Sequence, residues 1–151
     1  MKTLWLYKPI TGTYSEFAKP FRDNETLSKQ ARSFWNQLDN AALYFLIGAI
    51  VFGALVAAYY YTLYNQKPGR RYKPQHWWMW LLITIVATLA VTFGVEILIA
   101  KPQLNGAVWL ELRIALSNAI YAIFVFLSVS FVWCNFGCRT NAYRYLKLKK
   151  S

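Results

Sequence analysis

Acidic side chains are scarce in this chain: six Asp and Glu stand against 17 Lys and Arg, for a formal net charge of +11 over 151 residues. Histidine occurs once, at His76, and cysteine twice, at Cys134 and Cys138. One histidine rules out a multi-histidine metal centre, and no Ser-His-Asp arrangement can be assembled around it. Two cysteines are too few for a disulfide framework and identify no redox compartment. No glycine-rich phosphate loop is present. No cleavable signal peptide is visible, because the apolar stretch in Met1–Lys8 is too short and no small-residue cleavage site follows it. These absences argue against an enzyme and leave no cofactor to expect. The length gives room for one domain.

What the chain has instead is apolar and aromatic residues, 57% and 19% of the total. Charged residues make up 15% and are clustered, a pattern of neither a disordered chain nor an ordinary soluble domain. Three runs reach the roughly 20 apolar residues that a helix needs to cross hydrocarbon. Ala41–Tyr64 carries no charge, Trp77–Ala100 carries only Glu96, and Trp109–Trp133 carries Glu111 and Arg113 in its first turn. Hydrocarbon offers the backbone no hydrogen-bond partner, so these runs are expected to be helices. Buried helices of a soluble bundle would need a polar face, and none of the three has one over its central turns.

Ahead of the first span, Leu27, Ala31, Phe34 and Leu38 recur at helical steps, opposite Lys29, Arg32, Ser33, Asn36 and Gln37. Asp23 or Asn24 can cap this segment, which reads as an amphipathic helix over Asn24–Asn40. Leading into the first span, it would lie along the outer headgroups or continue straight and pack on a neighbouring subunit. Before it, Pro9, Gly12 and Pro20 are interspersed among Trp5, Tyr7, Tyr14, Phe17 and Phe21, so residues 1–23 read as an extended aromatic arm. An arm this short must pack on something, within this chain or outside it. The expected fold is therefore an all-α integral membrane protein: three transmembrane helices, preceded by an amphipathic helix and an aromatic-rich arm and followed by a basic tail over 134–151.

The cations set the expected direction. The first connection, Asn65–His76, carries Lys67, Arg70, Arg71 and Lys73, and the tail carries Arg139, Arg144, Lys147, Lys149 and Lys150. Three crossings put both on one side, and the positive-inside rule makes that side the cytoplasm, with the N-terminus outside. Lying beside apolar runs, these cations fit anionic lipid headgroups better than nucleic acid. A bacterial cytoplasmic membrane suits the pattern. Aromatic residues gather at the span ends, with Tyr59, Tyr60, Tyr61, Tyr64, Trp77, Trp78, Trp80 and Trp133 at one interface and Trp35, Tyr44 and Trp109 at the other.

Within the spans, Glu96 and Arg113 fall at comparable depth in a hairpin turning at Lys101–Val108. They read as a charged vestibule of an oligomer, or more simply as a pair that pins the hairpin. Asn118 lies deeper, and Thr84, Thr88 and Thr92 share one stripe, lining a narrow path or bonding to their own backbone. Small residues at Ala49, Gly53 and Ala57, at Ala90 and Gly94, and at Ala115 and Ala119 allow close helix approach. Three helices leave several such faces without a partner in the chain, which favours self-association. Cys134, Cys138 and His76 lack the fourth ligand and the CxxC-type spacing of a zinc site. Arg71 and His76 match an Arg-x4-His spacing of some ribonucleases, but at a membrane boundary rather than in a nuclease cleft.

The expected role is a non-enzymatic, oligomer-forming membrane subunit, structural or anchoring, in a larger membrane complex. The alternative is a homo-oligomeric pore or permeabilising channel of a holin or defence-effector kind. In topology alone the arrangement resembles three-span phage holins, with an outside N-terminus, three helices and a basic inner tail. The 40-residue outer segment departs from that pattern. A tag fused after Ser151 is expected to meet an impermeant reagent only once cells are opened, and labelling in intact cells would reverse the direction.

Overall fold

The computed structural model is all-helical and describes residues 4–70, 73–102, 104, 106–137 and 146. Five α-helices are described: α1 (Lys8–Thr11), α2 (Tyr14–Ala18), α3 (Glu25–Tyr59), α4 (Pro74–Ile99) and α5 (Ala107–Val132). A π-helical turn, Tyr60–Tyr64, prolongs α3, and another, Trp133–Gly137, prolongs α5. The stretches Glu25–Tyr64, Pro74–Ile99 and Ala107–Gly137 are each long and apolar enough to cross a membrane. Leu55, Leu82, Val86, Val91, Leu98 and Phe124 leave more than half of their surface uncovered. Apolar surface of that extent, distributed along all three helices, belongs in lipid. The protein is an integral membrane protein.

Local sequence sets where the helices begin and end. Asn24 caps α3, its Oδ1 accepting from the amides of Thr26 at 3.0 Å and Leu27 at 3.2 Å. No proline or glycine falls between Asn24 and Ile47, so the amphipathic segment and the first span form one uninterrupted helix. Pro74 opens α4, where its missing N–H is not needed. Gly106, at φ 90°, makes the left-handed step that starts α5.

The N-terminal residues differ from the expected extended arm. They form α1, α2 and two 3-10 turns, Leu4–Tyr7 and Lys19–Phe21. Pro9 and Pro20 each fall in the first turn of a short helix, a position that tolerates proline, so they divide helices rather than forbid them. Gly12, at φ 78°, separates α1 from α2.

The chain groups into two compact units, Met1–Gly48 with Leu89–Asn118, and Ala49–Thr88 with Ala119–Ser151. In the first, the N-terminal helices cover the apolar stripe of α3. Ala31, Phe34 and Leu38 are fully buried together with Ala42, whereas Leu27 is exposed. Phe17 packs on Phe21, Phe34 and Trp35 at ring separations of 5.7, 5.8 and 5.7 Å. The arm thus packs within its own chain. Gln37 clamps the connection after α4, its Nε2 donating to Lys101 O at 3.1 Å and its Oε1 accepting from Lys101 N at 2.9 Å.

In the second unit, Val56, Ala57, Tyr60, Tyr61, Trp77, Leu81, Phe126 and Cys134 form a core. Trp77 Nε1 donates to Ser130 Oγ at 3.3 Å, and its ring lies 5.7 Å from Phe126. Tyr60, Tyr61 and Trp77 are therefore covered by protein, while Trp78 remains exposed. At Gly53 α3 and α5 approach closely: a Cβ there would stand 2.7 Å from Ala122 O. Only glycine admits that approach. Gly53→Ala is expected to lower stability by about 1–3 kcal/mol through the forced backbone shift. Gly48→Ala, with open space around it, should be neutral or slightly stabilising. Thermal unfolding of both variants in detergent micelles measures the difference.

Candidate functional site

The buried polar side chains of the first unit come from three segments. Tyr7 is almost wholly buried, and its hydroxyl donates toward Asn118 Oδ1 at 2.7 Å and Ala42 O at 3.0 Å. One phenolic proton serves both acceptors, tying the N-terminal segment to α3 and to α5 at once. Leu4 N–H adds a second tether, donating to Asp39 Oδ1 at 2.7 Å. Asn118 is fully buried, and its Nδ2 finds no acceptor among the described residues.

Glu96 on α4 and Glu111 on α5 are also fully buried, and Glu111 lies within electrostatic reach of Glu96. Neither carboxyl oxygen of Glu96 accepts a hydrogen bond among the described residues. A buried carboxyl without donors is costly to hold in an apolar interior, which makes this pair the most unusual chemistry in the spans. Arg113 does not compensate it. Arg113 is exposed, at a cleft of about 260 Å³ that it lines with Thr11, Glu16 and Trp109. The simple expectation of a Glu96–Arg113 pair is therefore not met. Residues two apart on a helix point about 200° away from each other, so with Glu111 turned inward Arg113 is turned outward.

Most other polar side chains of the spans bond to their own helix. Thr84 Oγ1 donates to Trp80 O at 2.9 Å, Ser117 Oγ to Arg113 O at 2.8 Å and Ser128 Oγ to Phe124 O at 2.7 Å. Thr88 and Thr92 are buried, and Thr88 Oγ1 has no partner among the described residues.

The small residues divide into two sets. Ala49, Gly53, Ala57, Ala115 and Ala119 are buried. Ala90 and Gly94 on α4 are exposed, and a Cβ at Gly94 would meet nothing within 4 Å.

Among the basic residues, Lys67 and Lys73 are exposed, and the Arg70 guanidinium lies 4.6 Å from the centre of the Tyr64 ring. Arg71, Cys138, Arg139, Arg144, Lys147, Lys149 and Lys150 lie outside the described residues. Cys134 is buried, its Sγ 3.8 Å from Tyr61 Oη. His76 stands edge-on to Tyr64 at 5.5 Å. Among the described residues no three His, Cys, Asp or Glu side chains come together in a way that would hold a metal ion.

Sequence reasoning noted Glu111 as a charge at the start of the third span without setting it beside Glu96, and gave Tyr7 and Asp39 no role in a site. The helical phase of Ala115, Asn118 and Ala122 carried the signal for Glu111, because a residue four positions before Ala115 shares its face. No family model, curated protein or solved structure matches the chain. What defines its class is the fold itself, that of a membrane protein with three transmembrane helices.

Tyr7→Phe removes the donor for both acceptors and is expected to cost about 1–3 kcal/mol. Thermal unfolding in micelles should show a lower midpoint, and an unchanged one would mean that the phenol anchors nothing.

Proposed function

We propose that this protein is a non-enzymatic membrane subunit that associates with its own copies or with other membrane proteins, as a structural or anchoring component of a larger complex. The observation that carries the reading is the outward seam of α4. Ala90 and Gly94, one turn apart, are exposed, and a Cβ built at Gly94 meets nothing within 4 Å among the described residues. Without a hydrophobic drive between helices in lipid, close backbone approach is what favours association, and small residues at four-residue steps provide it. The comparable positions Gly53 and Ala119 are already used inside the chain. The N-terminal helices, packed on α3, add an extramembrane body on which a partner can rest.

The reading puts the N-terminus outside and the tail in the cytoplasm of a bacterial inner membrane. Lys67, Arg70 and Lys73 of the first connection, with the cations of the tail, support that direction. A pore has less support. Its wall would need polar side chains facing away from the chain, whereas Thr84, Thr88, Thr92 and Glu96 are buried and Ser128 bonds its own backbone.

Native mass spectrometry of the protein in mild detergent is expected to find more than one chain per particle. Gly94→Leu should weaken that association about tenfold or more, equivalent to 1.4 kcal/mol, without changing the helical content. Liposomes carrying the protein should stay tight to ions and dye. A monomer at every concentration, or an assembly indifferent to Gly94→Leu, would remove the basis of the proposal, and dye release would favour the pore.

A further inference from the structure

We infer that the cleft between the N-terminal helices and α3 binds the phosphate of an amphiphile, namely a phospholipid headgroup. The cleft encloses about 670 Å³, within the range of about 300–1,000 Å³ that small-molecule sites occupy. Its chemistry comes from Lys8, Tyr14, Ser28, Arg32, Trp35 and Asp39. Two cations thus face one carboxylate, and Asp39 already accepts the amide of Leu4. No acidic side chain pairs with Lys8 or Arg32 among the described residues. By contrast Lys29, on the same helix but outside the cleft, bonds Glu25 at 2.7 Å.

A guanidinium and an ammonium lining one cleft suit a phosphate. Arginine binds two of its oxygens through a planar fork, and lysine adds a point charge. Ser28 supplies a neutral hydroxyl. One wall is aromatic, with Tyr14 edge-on to Trp35 at 5.6 Å, and such rings are at home at headgroup level.

Position argues for a lipid over a soluble phosphate ester. Ser28, Arg32, Trp35 and Asp39 follow one face of α3 at steps of four, three and four residues, a length of about 16 Å. That face ends two residues before the charge-free run begins at Ala41. Beyond it Leu43 and Ile47 continue along α3 as exposed apolar surface. A headgroup can therefore enter the cleft while its acyl chains remain along the helix in hydrocarbon.

The test uses the full chain, purified in micelles and stripped of lipid, titrated separately with phosphatidylglycerol, diacylglycerol and glycerol phosphate and read by native mass spectrometry. Phosphatidylglycerol is expected to bind at least about tenfold more tightly than either of the others. Lys8→Gln with Arg32→Gln should weaken it about thirtyfold, the loss expected for two cations facing a phosphate. Lys19→Gln with Arg22→Gln, exposed cations outside the cleft, should leave binding unchanged, and Lys8→Arg with Arg32→Lys should retain it. Circular dichroism confirms that each variant folds. Equal loss in both glutamine pairs, or none in the cleft pair, overturns the site. Glycerol phosphate binding as tightly as the lipid overturns the assignment to a membrane amphiphile.

Discussion

Hydrocarbon gives a peptide group nothing to bond to, and this constraint underlies each feature of the spans. It makes the three apolar runs helical, since only an intrasegment ladder satisfies every amide and carbonyl. It also directs the hydroxyls of Thr84, Ser117 and Ser128 back onto carbonyls one turn earlier, where they need no partner from another helix. With so few polar contacts between helices, cohesion rests on shape. Gly53 against the backbone of Ala122 is the clearest instance, because a helix carrying any side chain there would stand farther off.

The second unit departs from this economy with the bond from Trp77 to Ser130, and the first unit departs from it further. There a phenol, an amide and two carboxyls are removed from solvent together. Tyr7 gives the N-terminal segment its footing, since its single hydroxyl reaches two acceptors on different helices. Asp39 and Gln37, both on α3, bind backbone groups of other segments. The polar atoms of this region are thus used mainly to fix chain segments in place. Glu96 alone stands apart, with two oxygens and no donor among the described residues.

How much of this could be read from the residues depends on whether a helix advertises its own rotation. The three spans, the cap at Asn24 and the buried stripe Ala31, Phe34, Leu38 were legible, because length, capping chemistry and an apolar–polar contrast are local properties. The inward face of α4 was marked only by its polar residues, since Thr84, Thr88 and Thr92 share one stripe and are buried with Glu96. Nearly every other residue of that helix is apolar, and an apolar side chain does not distinguish the face that meets protein from the one that meets lipid. For the same reason Ala90 and Gly94 looked equivalent to Ala115 and Ala119, although only the latter are buried. Depth along a hairpin suggested Arg113 opposite Glu96, but depth says nothing of angle, and Glu111 has the angle. The N-terminal prolines misled in another way, since their effect depends on whether they open a turn or interrupt one.

The bond between Tyr7 and Asn118 joins residues 111 positions apart. Both its acceptors are part of a fold that the ribosome has not finished when Tyr7 emerges. Ala42 follows soon after, but Asn118 arrives only with the last helix. During synthesis the contacts of Phe17 with Phe21, Phe34 and Trp35 and the bond from Tyr7 to Ala42 need only α3, whereas the bond to Asn118 must wait until the third crossing is in place. Completion of insertion and the last polar tie of the N-terminal segment become one event. A chain stalled after its second crossing would thus differ from the mature protein at the opposite end of its sequence.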